Sequence, residues 1–216
     1  MKGLPERYQL TPPRGVVVSR RLAHWSELLQ EWCVIHERYC RLVEDDAIYW
    51  NIERSNLAAL ASAAWRSGWA ALEEFSHDKI LKLAKFYGRA DLYMRSPGAH
   101  DYVEAKMAWP KGVARPINAR QTLRELDSAC NDARKIHLAN GEGTRIGVVF
   151  ACPRFPSGAE QPLVELLAPF FEQIEGTELD AVAWCFPPLQ NALTALWGGR
   201  INLAYPGVVL LARVVA

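Results

Sequence analysis

The stretch Gly88–Pro110 reads GRADLYMRSPGAHDYVEAKMAWP. With a period of two it resolves into two short strands, Arg89–Arg95 and His100–Met107, joined by the turn Ser96-Pro97-Gly98-Ala99. Residues two apart on a strand share a face. Glu104 and Lys106 therefore project together, while Val103, Ala105 and Met107 point the other way. The hairpin brings Asp91 beside the first pair. Two carboxylates and one ammonium on one sheet face are costly unless something compensates them. A divalent cation would do so, and that combination points to phosphodiester hydrolysis.

The rest of the chain supplies the frame. An extended arm at 1–18, with Pro5, Pro12, Pro13 and Gly15, precedes a helix predicted over 20–43. Its apolar stripe comprises Leu22, Trp25, Leu28, Leu29, Trp32, Ile35, Tyr39 and Leu42. A second helix is predicted over 48–76, with Trp50, Leu57, Leu60, Ala61, Ala64, Gly68, Leu72 and Phe75 inward. Residues 78–86 read either as a last helical turn or as an edge strand. After the hairpin, 109–117 is a loop and 118–137 a third helix, stopped by Asn140-Gly141-Glu142-Gly143. Residues 145–152 (RIGVVFAC) are apolar nearly throughout, the pattern of a central buried strand. A helix at 161–175, a strand at 180–186, a short helix at 188–197 and a strand at 207–215 complete the series. This order predicts an α/β fold with a mixed central β-sheet flanked by helices. Residues 1–47 read as an N-terminal arm and helical extension, and 48–216 as the α/β domain.

Composition narrows the class. Of 216 residues, 50% are hydrophobic, as expected for a globular protein, and the formal net charge is only +1. A globally basic surface is therefore excluded, and any basic footprint must be local. The five cysteines show no Cys-x-x-Cys pair, which argues against zinc and for a reducing compartment. The histidines lack His-x-x-x-His spacing. No apolar run is long enough to span a membrane, and Met1–Thr11 lacks a signal-peptide core. The expectation is a soluble, cytoplasmic protein. The eight tryptophans are read first as core.

The order helix, strand, Asp-bearing strand, Glu-x-Lys strand, helix, strand resembles the core of the PD-(D/E)XK nuclease superfamily, the restriction-endonuclease-like group. The residues that carry the resemblance are Ala90-Asp91-Leu92 and Glu104-Ala105-Lys106, with alanine where the motif's proline usually stands. It covers about residues 48–152. The resemblance implies that Asp91 and Glu104, with the backbone carbonyl of Ala105, hold Mg²⁺ or Mn²⁺. It implies that Lys106 orients the attacking water or stabilises charge on the phosphorane. Members of the group often add a helix carboxylate. Glu53, Glu73 and Glu74 are the candidates, and Glu53 is favoured because it falls within the apolar stripe near the helix start. Its bland alternative is an ion pair with Arg54 or Arg89. The bland alternative for the motif itself is a surface ion pair between Glu104 and Lys106.

Arg89, Arg95, Lys111 and Arg120, with Arg115 and Arg124, form the local basic set available to nucleic acid phosphates, DNA more than RNA. Gln121 and Arg120 are further candidates from the following helix. A second class of function stays open: a non-catalytic scaffold on the same fold, using the N-terminal helices to bind a protein partner or to form a homodimer.

Overall fold

The computed structural model describes residues 14–43, 46–81, 84–112, 117–138, 142–156, 162–187, 194–197 and 201–216. Its centre is a seven-stranded mixed sheet. The strands are β1 (Arg14–Val18), β2 (Ala70–Leu81), β3 (Ala84–Arg95), β4 (His100–Ala108), β5 (Thr144–Ala151), β7 (Ala181–Cys185) and β10 (Val208–Val215), in the order β1-β7-β10-β5-β4-β3-β2. Only β4 and β5 run parallel; every other neighbouring pair is antiparallel. A second, three-stranded sheet has β6 (Phe155–Pro156), β9 (Ile201–Ala204) and β8 (Thr194–Trp197) in the strand order β6-β9-β8. Four helices flank the main sheet: α1 (Trp25–Leu42), α2 (Glu53–Arg66), α3 (Arg120–Ala133) and α4 (Leu163–Glu175).

The sheet divides the apolar interior in two. On one face Trp25, Leu28, Leu29 and Trp32 of α1 and Leu57, Leu60 and Ala64 of α2 pack with Leu92, Val103, Ala105, Val148 and Leu210. On the other, Leu126 and Cys130 of α3 and Leu167, Phe170 and Ile174 of α4 pack with Val149, Ala151, Val209 and Leu211. Covering both faces explains the uninterrupted apolar run of β5, which is the expected central strand.

The N-terminal segment is built into this domain rather than appended to it. Arg14–Val18 pairs along its length with β7. The apolar stripe of α1 is spent on the shared core from Trp25 to Ile35, whereas Leu42 at its end is exposed. The carboxylate of Asp101 on β4, almost fully buried, accepts the indole N–H of Trp25 at 2.8 Å and lies 2.8 Å from Nε2 of His24. That polar clamp fixes the start of α1 to the hairpin strand. Most of the stripe on which the partner-binding reading of the N-terminal helices rests is thus buried within the domain.

Three other expectations are corrected. The helix predicted over 48–76 is a 3-10 turn at Ile48–Trp50 followed by α2, which stops at Arg66. Gly68 has φ +77°. The N–H of Gly68 bonds to the Trp65 carbonyl at 3.1 Å and that of Trp69 to the Ala64 carbonyl at 2.9 Å. These are the paired bonds of a Schellman cap, which needs a residue in the left-handed region and so selects glycine. The small residues beyond Gly68, read as a continued helix stripe, begin β2 instead. Glu73 and Glu74 are accordingly strand residues. The ambiguous segment 78–86 runs through the β2–β3 edge hairpin, with residues 82–83 outside the described set. Finally, Thr194–Trp197 is a strand and not the end of a helix; residues 188–193 lie outside the described residues.

Candidate active site

The predicted hairpin forms. The Ser96 N–H bonds to the Ala99 carbonyl at 3.0 Å, and β3 and β4 pair from Arg95↔His100 to Leu92↔Val103. At Asp91 backbone pairing gives way to side-chain pairing. The Asp91 carboxylate accepts the Ala105 N–H at 2.8 Å, where a β3 carbonyl would continue the ladder. Two residues on, the Met107 N–H faces the carboxylate of Glu53 at the first turn of α2 and favours its charged form. Alternate residues of β4 direct their N–H and C=O groups to the same neighbour. Ala105 and Met107 therefore open toward one fork, and two carboxylates fill it.

Glu104 and Lys106 lie on the β4 face turned toward α3. That helix can approach closely because Gly147, on the adjoining β5, has no side chain: a Cβ there would stand 2.6 Å from the Cys130 backbone nitrogen. α3 in turn carries Asp132 to 3.2 Å from the Lys106 ammonium. The same ammonium donates to the Ala105 carbonyl at 3.1 Å. Glu104 is buried, and its Oε1 receives the Lys79 ammonium from β2 at 2.6 Å.

Electrostatics follow from this packing. Burial pushes Glu104 up, the neighbouring Asp91 charge pushes it further, and Lys79 and Lys106 offset only part, so that it titrates at about 7. Burial also raises Glu53; Lys106 opposes that rise and Asp91 reinforces it. Burial alone would lower Lys106, but the hydrogen bond and charge of Asp132, helped by Glu53 and Asp91, hold it above the ordinary lysine value. Burial disfavours the Asp132 carboxylate, yet Lys135 and Lys106 outweigh it and keep Asp132 below its usual range.

The fold thus brings Glu53, Asp91, Glu104 and Lys106 together. The basic set disperses. Arg89 is exposed and sits 3.4 Å from Glu74, which also pairs with Arg54 at 3.2 Å. Arg95 stands at the turn end of the hairpin, four residues or about 13 Å along β3 from Asp91. Arg120 opens α3 on the surface, and Gln121 beside it is half-buried. Arg124 is exposed, whereas Lys111 is half-buried and bridges to Arg154. Arg115 lies outside the described residues.

Two residues of the cluster escape a reading of the sequence, Lys79 and Asp132. Asp132 is one polar residue on an amphipathic helix and carries no local signal. Lys79 is hidden by a reversal within β2. Glu74 has φ +46°, a left-handed residue that breaks strand alternation. Before it, Ala71 packs on the α1–α2 face. After it, Phe75 meets the rings of Tyr93 and Tyr102 at 5.9 and 6.3 Å, on the Glu104 face. Lys79, four residues further, shares that face.

Every donor at the fork is an oxygen, which suits Mg²⁺ or Mn²⁺ and not a soft metal. Among the described residues no three His, Cys, Asp or Glu side chains converge into a metal-binding group. A divalent ion here would need the Ala105 carbonyl beside Asp91 and Glu104, and water or phosphate oxygens for the rest. The oxygen chemistry of buried Glu104, Asp91 and the Ala105 carbonyl fits that requirement, with Lys79 and Lys106 now on Glu104 and the carbonyl.

No family model matches this chain, and no curated protein or solved structure matches it.

Proposed function

We propose that the protein is a metal-dependent nuclease of the restriction-endonuclease-like, PD-(D/E)XK type, hydrolysing phosphodiester bonds, in DNA before RNA. The observation that carries this reading is the fork itself. Asp91, Glu104 and Lys106 share one face at the point where β3 leaves β4, and a helix carboxylate, Glu53, enters the same gap. A hairpin with incidental surface charge would not bury Glu104 or interrupt its own ladder.

A bound divalent cation would supply Lewis-acid polarisation of the scissile phosphate. Asp91, Glu104 and the Ala105 carbonyl would hold it. Lys106 remains charged across the physiological range because Asp132 supports it. Its ammonium is available to orient a water or to balance charge building on the phosphate oxygens. Glu53, whose proton affinity burial raises, would serve as the group that accepts a proton from the attacking water. Arg54 and Arg89, exposed beside Glu74, and Arg120 and Arg124 on the exposed side of α3 are cations that would suit backbone phosphates. No described helix is long and apolar enough to cross a membrane.

A second reading draws on one specific observation: Glu104 and the Ala105 carbonyl already hold ammonium groups, from Lys79 and Lys106. A scaffold protein that retains the fold without catalysis could rest in that closed arrangement. Incubation with supercoiled, linear and single-stranded DNA, with Mg²⁺, Mn²⁺ or chelator, separates the two. Cleavage by the wild type that requires the metal and is lost in Lys106→Ala supports the nuclease. No cleavage and no Mn²⁺ binding leave the scaffold.

A further inference from the structure

We propose that Lys79 is a tethered internal cation of the carboxylate site, and that a divalent ion binds there by displacing its ammonium from Glu104. This inference rests on the metal-site reading above and adds a residue that sets metal affinity.

Four independent features aim the side chain at that place. The left-handed Glu74 turns the odd positions of β2 to the Glu104 face. Arg54 and Arg89 hold the Glu74 carboxylate at 3.2 and 3.4 Å, on either side of that turn. The stem of Lys79 then passes over Gly88, where a Cβ would lie 3.0 Å from Lys79 Cδ and 3.2 Å from Cγ. The backbone is pinned from behind, through the Lys79↔Ile136 bridge and the 2.9 Å bond from the His137 N–H to the Asp78 carbonyl. The result is a 2.6 Å contact with Glu104 in which the Lys79 and Glu104 side chains are 13% and 4% exposed.

The groups facing this ammonium are few. Glu104 accepts it at 2.6 Å, and Asp91 and Lys106 act on the same carboxylate. The ammonium groups of Lys79 and Lys106 already balance the two carboxylates, so a divalent ion enters by displacing the one that occupies the Glu104 oxygen, Lys79. The exchange costs the Lys79–Glu104 contact, so Lys79 lowers metal affinity and raises the concentration at which the site fills. Once displaced, its ammonium stays on the same face, within reach of a phosphate bound to the ion.

Mn²⁺ binding to the intact protein, followed by electron paramagnetic resonance and calorimetry, tests this without any substrate. Lys79→Met is expected to bind Mn²⁺ about tenfold more tightly than the wild type, and Lys79→Arg to bind no more tightly. Gly88→Ala, which crowds the stem while leaving the lysine in place, is expected to shift affinity in the same direction by less. If Lys79→Met and Gly88→Ala are folded and bind Mn²⁺ as the wild type does, the role of Lys79 is overturned and the metal site stands. If none of the proteins binds Mn²⁺, the metal-site reading falls and this inference with it.

Discussion

The Asp91 carboxylate takes the Ala105 backbone N–H that a strand carbonyl would otherwise take, at 2.8 Å. One side chain thereby ends a β-ladder and opens a gap beside Glu104. The same bond explains why Asp91 can hold its position with a negative neighbour, since the N–H partly compensates its charge. The site is thus created by the way the sheet comes apart.

Asp91→Asn keeps an acceptor for that N–H and removes the charge. Its melting temperature is expected to stay close to wild type, while Mn²⁺ binding falls beyond tenfold and cleavage by about 10²–10³-fold. Asp91→Ala leaves the buried N–H without a partner and is expected to lose about 1–3 kcal/mol of stability as well. Chemical denaturation and Mn²⁺ titration on the two variants separate the two losses.

Glu104 gives the protein a characteristic pH dependence. Its native pKa of about 7 lies above the ordinary value of 4.5. The folded state therefore binds more protons at this carboxyl than the unfolded state does, so its contribution to stability is fully present below about pH 4.5 and is lost as pH rises through about 7. Glu104→Gln should flatten that slope and be more stable than wild type at pH 8, by up to about 3 kcal/mol. Mg²⁺ should recover part of the wild-type loss at pH 8 and none in the variant. Thermal melts from pH 5 to pH 8 measure both.

At Glu74 the usual strand preference should invert. A left-handed non-glycine residue costs about 1–2 kcal/mol, and its two ion pairs are largely solvent-exposed and contribute little. Glu74→Gly is expected to be more stable than Glu74→Ala by about 1 kcal/mol, in urea denaturation. Equal stability, or alanine ahead, would show that the φ +46° conformation carries no strain.

Gly147→Ala tests how the α3 packing supports the site. The new methyl would press on the Cys130 backbone and Sγ, costing about 1–3 kcal/mol. A displaced α3 also withdraws Asp132 from Lys106. The variant should therefore lose cleavage under conditions where it is still folded, with Mn²⁺ affinity little changed.

Much of this was legible in the chain. Alternation in Gly88–Pro110 gave the hairpin, its turn and the shared face of Asp91, Glu104 and Lys106, because strand periodicity is local and strong there. Glu53, favoured for its place near the helix start, opens α2 beside Asp91 and Lys106. The apolar run at 145–152 announced a strand covered on both faces. What failed had physical causes. The run of small residues in α2 continues past Gly68, so the Schellman cap was masked by Ala70 and Ala71. α1 resembled an appendage because its stripe does not say which surface receives it. Lys79 could not be placed by alternation, since Glu74 reverses the phase midway through β2. Arg95 and Lys111 were drawn to the site by nearness in sequence, which strand extension undoes.

Among the described residues, the edge strand Arg14–Val18 pairs along its length with Ala181–Cys185. During synthesis that pairing must wait until most of the chain has left the ribosome. Until then Trp25, Leu28 and Trp32 of the following helix lack part of the surface that buries them in the finished domain. Such sequence-distant closure slows folding and leaves apolar side chains exposed to other chains in the meantime. The N-terminal segment is thus made first and completed late, and expression at lower temperature or with chaperones should favour its correct closure.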